Sequence, residues 1–125
     1  MTHLRLPVDV QRGIALINRG EYFEAHEVLE AAWRAEPGPI RELYRGLLQA
    51  AVAAYHLERG NWRGAWKVAG RALRHLTPWP EVVLGIDVAA LRRDVAALRT
   101  LAQRAMEGEI PEAVPKLKVV MKREG

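Results

Sequence analysis

The 14 residues from Gly20 to Trp33 hold one histidine, four glutamates and a tryptophan among apolar neighbours. Carboxylate and imidazole are the side chains of general acid–base work and of metal ligation, so this stretch is where chemistry would have to start. His26 and Glu30 are four apart, and Glu27 and Glu30 three apart, so on a helix they are face-sharing neighbours. Trp33 follows His26 by seven and prolongs that face. Further on, Arg45, Gln49 and His56 stand at i, i+4 and i+11. If the two segments pack antiparallel, a carboxylate is offered an imidazole, an amide and a guanidinium. Gln49 sits amid apolar residues, so it is expected to be buried and hydrogen-bonded.

Three readings of this cluster compete. The first is a satisfied polar network that sets helix register, with His26 donating to Glu30 or Gln49. The second is a ligand or anion pocket of His, Arg and Trp walls. A metal site comes third: helical di-iron bundles use Glu-x-x-His pairs, whereas His26 and Glu30 form a single His-x-x-x-Glu. Zinc-protease helices need a second histidine where Glu30 stands. No metal or other cofactor is therefore assigned, and no catalytic residue.

Missing residue types narrow the chemistry. The chain has no cysteine and no serine, and its threonines are Thr2, Thr77 and Thr100, all outside the cluster. Disulfides, thiolate sites and the common nucleophilic triads are thereby excluded. Fifteen arginines against four lysines fit a GC-rich genome, and a thermophilic one. A net charge of +4 permits an anionic partner without demanding one. No apolar run reaches membrane-spanning length, and residues 1–7 hold no signal-peptide core, so no membrane partner is expected and the cytoplasm is the expected compartment.

Helices must position these residues. Pro7 suits a first turn, and Val10, Ile14 and Ile17 recur at helical spacing until Gly20. The pattern predicts a second helix over residues 21–35, closed by Pro37-Gly38-Pro39, and a third over 40–58 that is apolar nearly all round and therefore central. A fourth, 62–76, sets Trp62, Ala65, Trp66, Ala69, Ala72, Leu73 and Leu76 against a face of Arg63, Lys67, Arg71 and Arg74. That basic face carries no interleaved aromatic residue and reads as solvated surface, so nucleic acid is not an expected partner. The stretch 81–86 is left unassigned. Asp87 is expected to cap a fifth helix to about Met106, with a seven-residue echo of Asp87–Arg92 in Asp94–Arg99. A bundle over residues 1–110 is followed by a basic tail, 111–125, in which Lys116–Arg123 is expected to fray or to dock on a partner.

There is also a repeat at a spacing of 40: Arg19-Gly20 recurs as Arg59-Gly60, and Ala25, Val28 and Ala32 as Ala65, Val68 and Ala72. A Gly turn before a helix with small residues on its packing face is a sign of stacked helical hairpins. Residues 20–37 are similar to the second helix of a tetratricopeptide repeat, with Gly20, Tyr22, Ala25, Ala32 and Pro37 in register.

Residues 19–76 resemble the domain-of-unknown-function family 309, short bacterial and archaeal proteins. The matching pieces are Gly20–Glu30 with Trp33, then Gly46–Ala51 with Ala54 and His56, then Gly60-Asn61 with Gly64-Ala65. The resemblance implies a compact all-α fold and no assigned activity. Its shared polar residues fall here on His26, Glu27, Glu30, Trp33, Gln49 and His56.

The expectation is thus an all-α, single-domain bundle of about five helices with tetratricopeptide-like hairpins. The leading function is a non-catalytic binding or scaffold module for a protein or small ligand. A small metal-dependent or carboxylate/His hydrolase-like enzyme, with Glu27 or Glu30 as base beside His26 and His56, is the alternative. Nucleic-acid binding through the basic helix face comes third, and a homo-oligomer is compatible with any of them.

Overall fold

A computed structural model describes residues 5–122. Five helices run in chain order: α1 (Val8–Asn18), α2 (Tyr22–Ala35), α3 (Arg41–Glu58), α4 (Trp62–Leu76) and α5 (Val88–Met106). Each packs chiefly on the next, so the five helices form a bundle of sequential neighbours. The α3 helix is central, with ten buried residues including Leu43, Tyr44, Leu47, Ala50 and Ala54. Among the described residues no helix is long and apolar enough to cross a membrane.

The 40-residue repeat is two copies of one turn. Gly20 (φ 78) and Gly60 (φ 72) both take the left-handed conformation that ends α1 and α3. In each copy the residue after the glycine donates its N–H five residues back, Glu21 to the Leu16 carbonyl and Asn61 to the His56 carbonyl, each at 2.9 Å. The helix ends are thereby satisfied as in a Schellman motif. Asn61 then caps α4 by accepting the Gly64 N–H at 3.0 Å.

Small residues let the helices approach closely. A Cβ on Gly13 would sit 2.4 Å from Leu29 Cγ, and one on Gly46 would sit 2.6 Å from Leu76 Cδ2. Ala25, Ala65, Ala69 and Ala72 are fully buried in the same seams.

Residues 82–86, within the stretch unassigned from sequence, form a β-hairpin with Asp87. Strands β1 (Val82–Val83) and β2 (Ile86–Asp87) pair antiparallel, with Val83 opposite Ile86. Leu84 (φ 47) and Gly85 (φ 85) make the connection, both at positive φ as a I′ turn requires. Asp87 ends β2 and caps α5, accepting the Ala90 N–H at 2.9 Å. That bond and the nearby Lys122 ammonium lower its pKa below the usual carboxylate value.

The tail corrects the fraying expected from sequence over its described part: it packs on its own chain. Leu117 and Val119 are buried. Asn18 clasps Val119 twice, donating from Nδ2 to its carbonyl (2.9 Å) and accepting its N–H at Oδ1 (2.7 Å). Leu117 N–H donates to the buried Tyr22 hydroxyl at 2.9 Å, and burial pushes that phenol pKa up. Beyond them, Asp87 N–H donates to the Val120 carbonyl and Lys122 N–H to that of Gly85. The tail is a strap joining the α1–α2 turn to the hairpin at the entrance of α5. The last residue of the basic run, Arg123, lies outside the described residues.

Two outcomes are expected. Gly46→Ala should lower stability by about 1–2 kcal/mol in urea unfolding, because overpacking against Leu76 exceeds the roughly 1 kcal/mol helix-propensity gain of Ala over Gly. Tyr22→Phe should cost about 1–3 kcal/mol, since it leaves the buried Leu117 N–H without an acceptor. Its signature is faster amide exchange at Leu117 and Val119 than in α3.

Candidate functional site

The candidate residues stand along the outer edge of the α2/α3 seam. Its interior is apolar, with Ala25, Leu29 and Ala32 on α2 and Leu43, Leu47 and Ala50 among the buried residues of α3. Helical periodicity explains the placement: with positions 25, 29 and 32 facing inward, 26, 30 and 33 fall at the rim.

Three groupings occur along this edge. First, His26 Nε2 lies 3.2 Å from Glu30 Oε2, and the other Glu30 oxygen pairs with Arg34. His26 and Glu30 side chains are each about one-third exposed. Glu27, also proposed from the spacing, points to solvent. Second, Trp33 is covered by arginines of α3: Arg41 lies 4.7 Å and Arg45 5.2 Å from the ring centroid. Arg45 therefore stacks on the indole instead of pairing with Glu30. Third, His56 turns to the α3–α4 connection, where its Nδ1 lies 3.2 Å from Asn61 Nδ2.

Gln49 does not join these groups together. It is half-buried, and its Oε1 is sealed from solvent without a hydrogen bond from the described residues; the same is true of Trp33 Nε1. The spacing thus brings His26 to Glu30 and Arg45 to Trp33. It does not bring Gln49 or His56 to either. Among the described residues, no three His, Asp or Glu side chains cluster as a metal site would require.

The residue types do not single out an aromatic group at the end of this edge where α2 begins and α3 ends. Phe23 is 54% exposed, yet its ring lies 5.6 Å from Tyr55 across the seam and 6.1 Å from His26. Tyr55 continues to His56 at 6.2 Å, and the Arg59 guanidinium lies 5.4 Å over its ring. The available signal was spacing: Phe23 precedes His26 by three and Tyr55 adjoins His56.

The geometry lies within a recognisable segment: residues 10–68 match the profile of the family described as "Domain of unknown function (DUF309)". Over these residues the chain is similar to that family. All seven candidate residues fall inside the matched segment. An uncharacterized protein of Aquifex aeolicus (strain VF5) is 33% identical over 76 residues, which is 60% of this chain and 23% of that protein. The uncharacterized protein YpuF of Bacillus subtilis (strain 168) is 40% identical over 70 residues, 54% of this chain and 40% of that protein. The chain therefore spans less than half the length of either relative. The family description and both relatives' names assign no activity.

Burial, aided by the Arg59 charge, lowers the His56 pKa from its ordinary 6.5. Below pH 6.5 the unfolded chain takes up a proton that the folded ring refuses, so stability falls with falling pH until the folded pKa is passed. His56→Gln should flatten that part of the stability profile. Urea midpoints for both proteins at pH 7.5 and at closely spaced values below 6.5 measure it, against a wild-type curve that declines there.

Proposed function

We propose that this protein is a cytoplasmic, non-catalytic binding module, and that the α2/α3 edge docks a segment of another protein. One observation carries the reading: Phe23, a large apolar ring, is 54% exposed at one end of this edge, where it lies against the half-buried Tyr55 and His26. An exposed aromatic anchor encircled by partly shielded polar groups is how protein-docking hot spots are built. Its rotamer is braced by Tyr55 and His26, so little side-chain freedom would be lost on binding.

The relatives support a modular role, because their matched segments are 23% and 40% of longer chains. The hydrolase-like alternative is less well supported. A free carboxylate base beside two imidazoles is what it needs, whereas Glu30 is tied to His26 and Arg34, and His56 faces Asn61.

Replacing Phe23 with a photo-crosslinking phenylalanine analogue tests the reading in cells. A discrete protein adduct is expected from position 23 and not from position 8, where Val8 is 71% exposed. Adding Tyr55→Asp should abolish the adduct while circular dichroism stays unchanged. Equal adducts from both positions, or none from position 23, would remove the docking edge.

A further inference from the structure

The charges of this chain are not mixed evenly. Residues 5–58 carry six Lys and Arg against eight Asp and Glu, whereas residues 59–122 carry twelve against six. Helix α4 contains no acid at all. Its exposed row of Arg63, Lys67, Arg71 and Arg74 has no carboxylate within ion-pairing distance among the described residues. Unpaired like charges spaced about 6 Å apart along a helix repel one another, a cost that a bound polyanion relieves.

The neighbouring helix supplies what the α4 sequence lacks. Between α4 and α5 lies an open groove of about 400 Å³, lined by Trp66 and Met106 with Arg63, Lys67 and Gln103. Met106 is 43% exposed. Arg99 of α5 lies 4.3 Å from the Trp66 ring centroid and donates from Nε to the Trp66 carbonyl at 3.3 Å. The guanidinium is thus fixed against the indole next to the row of cations. A track of positive charge beside an aromatic and thioether floor suits an anionic chain that carries flat, apolar-faced groups.

We propose that the α4/α5 groove binds single-stranded nucleic acid, its phosphates along Arg63, Lys67, Arg71 and Arg74 and a base against Trp66 and Met106. Single strands fit because only unpaired bases can be splayed onto such a floor, and stacking needs no particular base. An acidic protein segment would satisfy the cations and leave the floor unused. This site is separate from the α2/α3 edge and stands or falls independently of it.

Fluorescence anisotropy with a labelled 20-nucleotide oligouridylate tests the assignment. Binding is expected at 50 mM KCl, weakening about fifty-fold at 200 mM if four phosphate contacts are made. Lys67→Glu and Arg71→Glu should each weaken it at least tenfold. Arg12→Glu on α1, a reversal of the same size remote from the groove, should leave it unchanged. Met106→Glu should also weaken binding, and circular dichroism checks that every variant is folded. No binding at 50 mM KCl, or equal effects of the α4 and α1 reversals, would overturn the proposal. So would binding of a 20-base-pair duplex as tightly as the single strand, or displacement by polyglutamate as effective as by unlabelled oligouridylate.

Discussion

The close approach of α3 to its neighbours is the constraint on which the other features rest. Gly46 takes the Leu76 side chain directly against its backbone, and α4 turns a file of small residues, Ala65, Ala69 and Ala72, into the core. The tryptophans Trp33, Trp62 and Trp66 and the tyrosine Tyr55 stand at the rims, all half-buried, while Tyr22 and Tyr44 are in the core. Arginines then cover what the core cannot: Arg41 and Arg45 lie over Trp33, Arg59 over Tyr55 and Arg99 over Trp66. Their guanidinium groups lie over the ring faces, a cation–π arrangement that covers the apolar rings. Surface chemistry on both sides of this protein is thus a product of how tightly its centre is packed.

The two sides differ in electrostatic character. On α2, Glu30 meets His26 and Arg34 of its own helix, and Glu24 and Glu27 face solvent. On α4 the arginines and Lys67 meet no carboxylate among the described residues, and on α5 Arg92 and Arg99 donate to backbone carbonyls. Arg92, for example, donates to the Leu76 and Trp79 carbonyls and closes the end of α4. Neutralised charge at one edge and unneutralised charge at the other suit partners of different kinds.

Much of the scaffold is legible in the sequence because its punctuation is local. Gly20, Gly60 and the Pro37-Gly38-Pro39 run end helices by backbone geometry that no tertiary contact has to supply. The 40-residue echo is readable for the same reason, and it matches two turns with the same hydrogen bonds. The β-hairpin is not readable, because Leu84 occupies a positive-φ position where Asn, Asp or Gly would have announced the turn. In the candidate site, the i,i+4 contact of His26 with Glu30 follows from helix period alone. The fates of Gln49, Arg45 and His56 do not, because each depends on rotation about the α2/α3 seam, and a few tens of degrees moves a residue from seam to rim. Phe23 escapes notice because an aromatic at helical spacing reads as core until its exposure is known.

The strap has a consequence for the order of assembly. Its contacts join residues about 100 positions apart, as Asn18 to Val119, while both helical hairpins close through turns of a few residues. Loop closure over such distances comes late. During vectorial synthesis, α1 through α4 can therefore be in place before residues 117–119 have been made. Until then the Asn18 amide and the Tyr22 hydroxyl face water at an uncovered edge. The nascent chain must tolerate that raw edge, and sealing it converts a row that could peel from its first helix into one that opens only as a unit.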